Sequence, residues 1–191
     1  MNSATPMPVC VPVMPMTAAT FAPYGEVFGR LAARPERALG ATGFAHQGRV
    51  TLGTIWNPAG AHGFSRLERH FGVTQGFVQL SGAPAVVCVA PPTALDDLDA
   101  LPAPEAVRGF LIDPGQGYLF HRGTWHALDR CVLAAPGATF LIVNSDPNPT
   151  QIVDFASAEN HMHEDLDGAA PPRALAWPGL ARCRFRVDLR G

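Results

Sequence analysis

Glu68, His70, Gln75, His121 and His126 are the side chains whose types and spacing can do chemistry in this chain. In the run ERHFGVTQGFVQLSG, Glu68 and His70 stand two apart, and on a strand such residues face the same side. Gln75 rejoins them if Phe71–Thr74 forms a turn or an offset in the strand. A carboxylate, an imidazole and an amide oxygen make an O/N donor set suited to a divalent first-row metal. The second run, GQGYLFHRGTWH, alternates His121 and Arg122, and Gly123 permits a turn that brings His126 back toward the interior. Gln75 and Gly115 stand about 40 residues apart, room for two strands and their connections.

The elements that must carry these residues are short strands. Gly and Pro number 19 each in 191 residues, which argues against a helix bundle or coiled coil. Strand signals fall at Val50–Trp56, Gly76–Leu80, Ala85–Ala90, Gly109–Ile112, Cys131–Leu133 and Thr139–Asn144, and this spacing predicts a barrel or sandwich. The apolar run Ala85–Ala90 suits a strand buried on both faces. Thr17 is a helix N-cap candidate for a short helix ending before Pro23. Residues 1–16 read as a loose arm or an edge strand, and 30–42 as a surface connection. Residues 91–108 read as a polar excursion, and 150–191 as a tail packing on the domain or on a partner chain. Arg69 and Arg122 are expected at a surface or interface, and Trp125 in the core.

Composition excludes several functions. All 14 basic residues are arginine, so no Schiff-base, general-base or P-loop lysine exists. The net charge is −2 and no basic run occurs, so nucleic-acid binding has little electrostatic support. Four dispersed cysteines (Cys10, Cys88, Cys131, Cys183) form no CxxC pair. Arg30 is the first basic residue and no apolar run of about 18 residues occurs, so neither a secretory leader nor a membrane span is expected. The expected compartment is the cytoplasm. Arg130 is a candidate anion clamp, and Asn144, at a strand end, a candidate substrate hydrogen-bonder.

The two runs resemble the cupin double motif. Glu68 takes the first His position of G-x5-H-x-H-x3–4-E-x6-G, His70 the second and Gln75 the Glu position. In G-x5-P-x-G-x2-H-x3-N, Gly115, Gly123 and His126 match, His121 replaces Pro, and Arg130 stands where Asn is usual. A closer resemblance is to ureidoglycolate lyase, a cupin-like family of allantoin catabolism within purine metabolism. It is carried by Leu67-Glu-Arg-His70 with Thr74-Gln75-Gly76-Phe77-Val78, and by Gly117-Tyr-Leu-Phe-His121-Arg-Gly-Thr-Trp-His126. Thr17–Val27 and Phe140–Val143 add weaker support. The chain departs from the family pattern at Ala127-Leu128 and at Asn144-Ser145.

The resemblance implies an all-β fold, a cupin-like antiparallel β-barrel (jelly roll) with a few short helices. Residues 1–191 then form one domain: arm 1–16, barrel 17–149 and tail 150–191. It implies cleavage of ureidoglycolate to glyoxylate and urea, with no organic cofactor and a homodimeric assembly. Glu68, His70, Gln75 and His126 are the expected ligands of a divalent ion, nickel or another first-row metal. Glu68, His121 and His126 are the expected catalytic groups, with His121 first choice for proton transfer. Gln75, Arg130 and Asn144 are expected to touch substrate. The alternatives are a related cupin acting on another small ureido- or hydroxy-carboxylate, and a non-catalytic carboxylate binder. For any one histidine, the competing reading is a core side chain satisfied by backbone carbonyls.

Overall fold

A computed structural model describes residues 8–29, 33, 42–60 and 62–190. Most of the 30–42 connection therefore lies outside the described residues, as do residues 1–7 of the arm. In chain order the strands begin with β1 Pro8–Pro15, β2 Gly25–Gly29, β3 Arg49–Pro58, β4 Gly63–Phe64, β5 Arg66–His70 and β6 Gly76–Gly82. Next come β7 Ala85–Ala90, β8 Arg108–Leu111, β9 Gln116–Phe120, β10 Trp125–Ala127, β11 Cys131–Val132 and β12 Gly137–Asp146. The tail adds β13 Thr150–Asp154, β14 Glu159–His163, β15 Arg173–Ala174 and β16 Arg184–Asp188. The expected helix is α1, Ala18–Phe21, closed by reciprocal hydrogen bonds between Thr17 and Thr20 in a capping box. No helix among the described residues is long and apolar enough to cross a membrane.

Two sheets curl around a common interior as a cupin-like β-barrel. The larger runs β15-β14-β13-β5-β10-β7-β8-β1-β16-β4, with β11 also on β7, and the smaller runs β2-β9-β6-β12-β3. All pairings are antiparallel among the described strands except those of β1 with β8 and with β16. The described part of the arm is thus neither loose nor an edge: β1 lies between β8 and β16, pairing with β16 through Pro8–Pro12 and with β8 through Val13–Pro15.

Packing explains the sequence pattern of β7. Ala85, Val87 and Val89 face an aromatic interior of Phe21, Phe77, Phe110, Tyr118, Phe120 and Phe140 between the sheets. Val86, Cys88 and Ala90 face a second cluster with Leu67, Trp125, Phe155 and Phe185. The larger sheet is buried on both faces because the tail covers its outer one. That is why an uninterrupted apolar strand is stable there rather than an alternating one.

Arg69 corrects the sequence expectation of a surface position: it is fully buried on the outer face of β5. Its Nε donates to Gln151 Oε1 at 2.8 Å, Nη1 to Thr93 Oγ1 and the Ala94 carbonyl, and Nη2 to the Asp97 carbonyl. The guanidinium also packs on the Phe71 and Trp125 rings, 4.8 Å from each centroid. The polar excursion that follows β7 is therefore a lid pinned to the sheet by one cation. Arg122 is half-buried and donates from Nε to the Phe71 carbonyl at 2.6 Å.

Candidate functional site

β5 is the element that gathers the site. Glu68 and His70 share its inner face, as their spacing requires. The register with β10 sets His126 directly opposite Glu68, and the register with β13 sets Thr150 opposite His70. The turn that delivers His126 passes through Gly123 at φ +81°, where a Cβ would stand 2.8 Å from Leu95 Cδ2. The Gly123 N–H donates to the His70 carbonyl at 2.9 Å, tying the two motifs together.

Glu68 Oε1 lies 3.8 Å from His70 Nε2 and 3.7 Å from His126 Nδ1. One donor atom from each of the three residues falls within 4.8 Å of the others. His126 is fully buried and stacks on Phe120, with centroids 4.3 Å apart and planes at 14°. Removal from water dominates the electrostatics. Burial pushes the Glu68 carboxyl up to about 7, against the pull of Arg130. Burial pushes His70 down to about 4, although the Gln75 and Asn148 amides favour its protonated form. His126 lies well below the usual imidazole range, first through burial and then through His70 and Arg130. Both rings are therefore neutral at pH 7, each with one nitrogen lone pair.

Thr150 decides which nitrogen of His70 keeps that lone pair. The Thr150 hydroxyl donates to the Asn148 carbonyl at 2.9 Å, so its oxygen accepts from His70 Nδ1 at 2.8 Å. His70 Nε2 is left as an acceptor, buried and without a hydrogen bond among the described residues. His126 Nε2 and Gln75 Oε1 are likewise buried and unpartnered. Unmet acceptors of this kind are costly in a dry interior. A carboxylate, two neutral imidazoles and an amide carbonyl fit a divalent first-row ion.

Arg130 stands beside this group. Its guanidinium lies 3.8 Å from the Phe77 ring centroid, and its Nε donates to the Tyr118 hydroxyl at 3.1 Å. It is 4% exposed, yet among the described residues its buried Nη2 has no partner. A cavity of about 610 Å³ is lined by Glu68, Gln75 and Arg130, with Asn144 of β12 and the tail residues Asp165 and Asp167. The Asn144 Oδ1 is also buried and unpaired. A free guanidinium N–H next to unpaired acceptors can bind a small acid that itself carries N–H or O–H donors.

His121 is not brought into the cluster. The Phe120 ring, at the end of β9, stacks on His126, and His121 just beyond that strand turns the other way. His121 Nε2 instead lies 3.3 Å from the carbonyl of Ala22, the residue that ends α1, and it does not line the cavity. Its expected proton-transfer role has no geometric support, because its ring rests on the Ala22 carbonyl and not on the cavity that Glu68 lines. Sequence reasoning missed Thr150, Tyr118, Asp165 and Asp167. Thr150 lies 80 residues from His70 along the chain, and no local pattern marks that pairing.

The family model described as "Ureidoglycolate lyase" matches residues 58–164. The ureidoglycolate lyase of Rhodobacter capsulatus is 32% identical over 138 residues, covering 65% of this chain and 80% of that protein. Those of Pseudomonas aeruginosa and Azotobacter vinelandii are 45% and 48% identical over 60 residues, 31% of this chain and 32% of each of theirs.

Proposed function

Since the chain belongs to the ureidoglycolate lyase family, we propose that it cleaves ureidoglycolate to glyoxylate and urea as a carbon–nitrogen lyase of the amidine-lyase type. One observation carries the reading. A buried carboxyl between two neutral imidazoles shares a cavity with a buried guanidinium whose Nη2 is unpaired.

Ureidoglycolate has a carboxylate, a hydroxyl and a ureido nitrogen on one carbon. Arg130 pairs with the carboxylate through Nη2, while Asn144 Oδ1 accepts from a substrate N–H. Glu68, with its carboxyl near 7, is divided between base and acid at neutral pH. It accepts the hydroxyl proton as the C–N bond breaks. The O–H electron pair becomes the new C=O of glyoxylate, and the C–N pair leaves on nitrogen. Glu68 then returns the proton to that nitrogen, so urea departs neutral and the carboxylate is regenerated. No water, oxidant or covalent nucleophile is consumed, which suits a chain without lysine.

Glu68, His70, His126 and the Gln75 carbonyl would hold a divalent cation, which when bound supplies Lewis acidity toward the substrate hydroxyl. A cation on Glu68 would draw its carboxyl down from about 7 and favour the base form, while the second carboxylate oxygen stays open to the substrate proton. The same reading carries a homodimer working in the cytoplasm.

Incubating the purified protein with racemic ureidoglycolate should release glyoxylate and urea in equal amounts. Glu68→Gln should lower turnover by about 10²–10⁴-fold. His121→Ala should stay within about threefold of the parent, since proton transfer is assigned elsewhere. Absence of both products from the metal-loaded parent protein overturns the reading.

A further inference from the structure

The cavity is polarised. Arg130 offers its unpaired Nη2 at one place, and Asp165 and Asp167 bring carboxylates from the tail at another. Arg130 is nine-tenths buried and its Nη2 has no partner among the described residues, nor has the Asn144 Oδ1 in the same cavity, so the space suits a ligand bearing both an anion and N–H donors. The acidic loop is fixed to the frame of the site. The Asn148 N–H donates to Asp165 Oδ1 at 3.0 Å, and the Leu166 N–H donates to the Asn148 carbonyl at 3.0 Å. Asn148 in turn accepts from Thr150, which holds His70. Asp165 thus has one oxygen occupied, whereas Asp167, exposed at the edge of the cavity, has no hydrogen bond or ion pair among the described residues.

An acidic group at the mouth of a carboxylate site repels that carboxylate unless the other end of the ligand presents N–H donors. A ureido group presents such donors and nothing anionic. We propose that Asp167 reads the ureido arm: its carboxylate accepts the N–H groups of a ureido-carboxylate whose own carboxylate lies on Arg130. Asp167 then sets specificity for ureido acids over plain hydroxy acids, and orients the nitrogen that must leave. This rests on the reading of the cavity as a ureidoglycolate site.

Calorimetric titration of the intact protein with N-carbamoylglycine and with glycolate tests it without requiring turnover. The parent protein should prefer N-carbamoylglycine. Asp167→Ala should reduce that preference about tenfold, leaving glycolate affinity within about twofold, and Asp167→Asn should recover part of it through its remaining acceptor. An unchanged preference in Asp167→Ala overturns the inference. So does an equal loss for both ligands, which would make the residue a mere support of the cavity, and so does a parent protein that binds neither. A parent that releases no glyoxylate and urea but shows the Asp167-dependent preference overturns the catalytic reading and leaves this one standing.

Discussion

At the residue scale, the site is governed by desolvation. Glu68 is held protonated above its ordinary range, so the folded state binds its proton more tightly than the unfolded chain does. Its contribution to stability is complete below about pH 4.5 and is lost as pH rises through about 7. In metal-free protein, Glu68→Gln should therefore be more stable than the parent at pH 8, by up to about 3 kcal/mol, and lose that advantage at pH 4.5. Urea midpoints at the two pH values check this, and saturating divalent metal should reverse the order at pH 8. Thr150 acts through His70 rather than on substrate. Thr150→Val removes the oxygen that accepts from Nδ1 and frees the ring to turn. The expected result is a 10–100-fold weaker divalent metal affinity, read by competition with a chelating dye, in a protein that still melts cooperatively. The pairing of Glu68 with His70 was legible in the sequence because period-two alternation is local. The roles of Thr150 and His121 were not. The first depends on cross-strand register, and the second on which way a strand exits toward α1.

At the element scale, β5 is informative on both faces. Its inner side chains build the site, and its outer Arg69 pins residues 93–97 against the sheet. A strand of five residues with an arginine between two inward residues looks solvated in sequence, since arginine is seldom fully buried. The structure buries it because backbone carbonyls, Gln151 and two aromatic rings together satisfy the guanidinium. Burial still lowers its pKa to about 10, above any working pH, so it remains a cation. Arg69→Ala should destabilise the protein by about 3 kcal/mol or more, since several charge-assisted hydrogen bonds go at once. Limited proteolysis should then cut within residues 91–108, and no change in cleavage there would contradict the pinning role.

At the scale of the whole molecule, the tail is part of the barrel. β13 pairs with β5 along its length, β16 pairs with β1, and Phe155 and Phe185 complete the outer core. A chain ended after Pro149 loses Thr150, turns β5 into an edge and uncovers Leu67 and Trp125. Such a chain should show no cooperative thermal transition by circular dichroism, because the second apolar cluster has no other cover. The same tail brings Asp165 and Asp167 to the cavity, so stability and ligand contact are coupled through one segment.

Local patterns in the sequence were enough for the strand-rich class, the capped helix at Thr17, the doubly buried strand at Ala85–Ala90 and the two motifs with their inward residues. Each follows from periodicity, turn chemistry or spacing over a dozen residues. Only the tertiary structure decided that Arg130 has an unpaired nitrogen, that His121 faces away, that Arg69 is interior and that the tail enters the site. Those facts depend on which distant strands pair and in what register. That choice is made by burying both faces of one sheet at once, a condition no short stretch of chain contains.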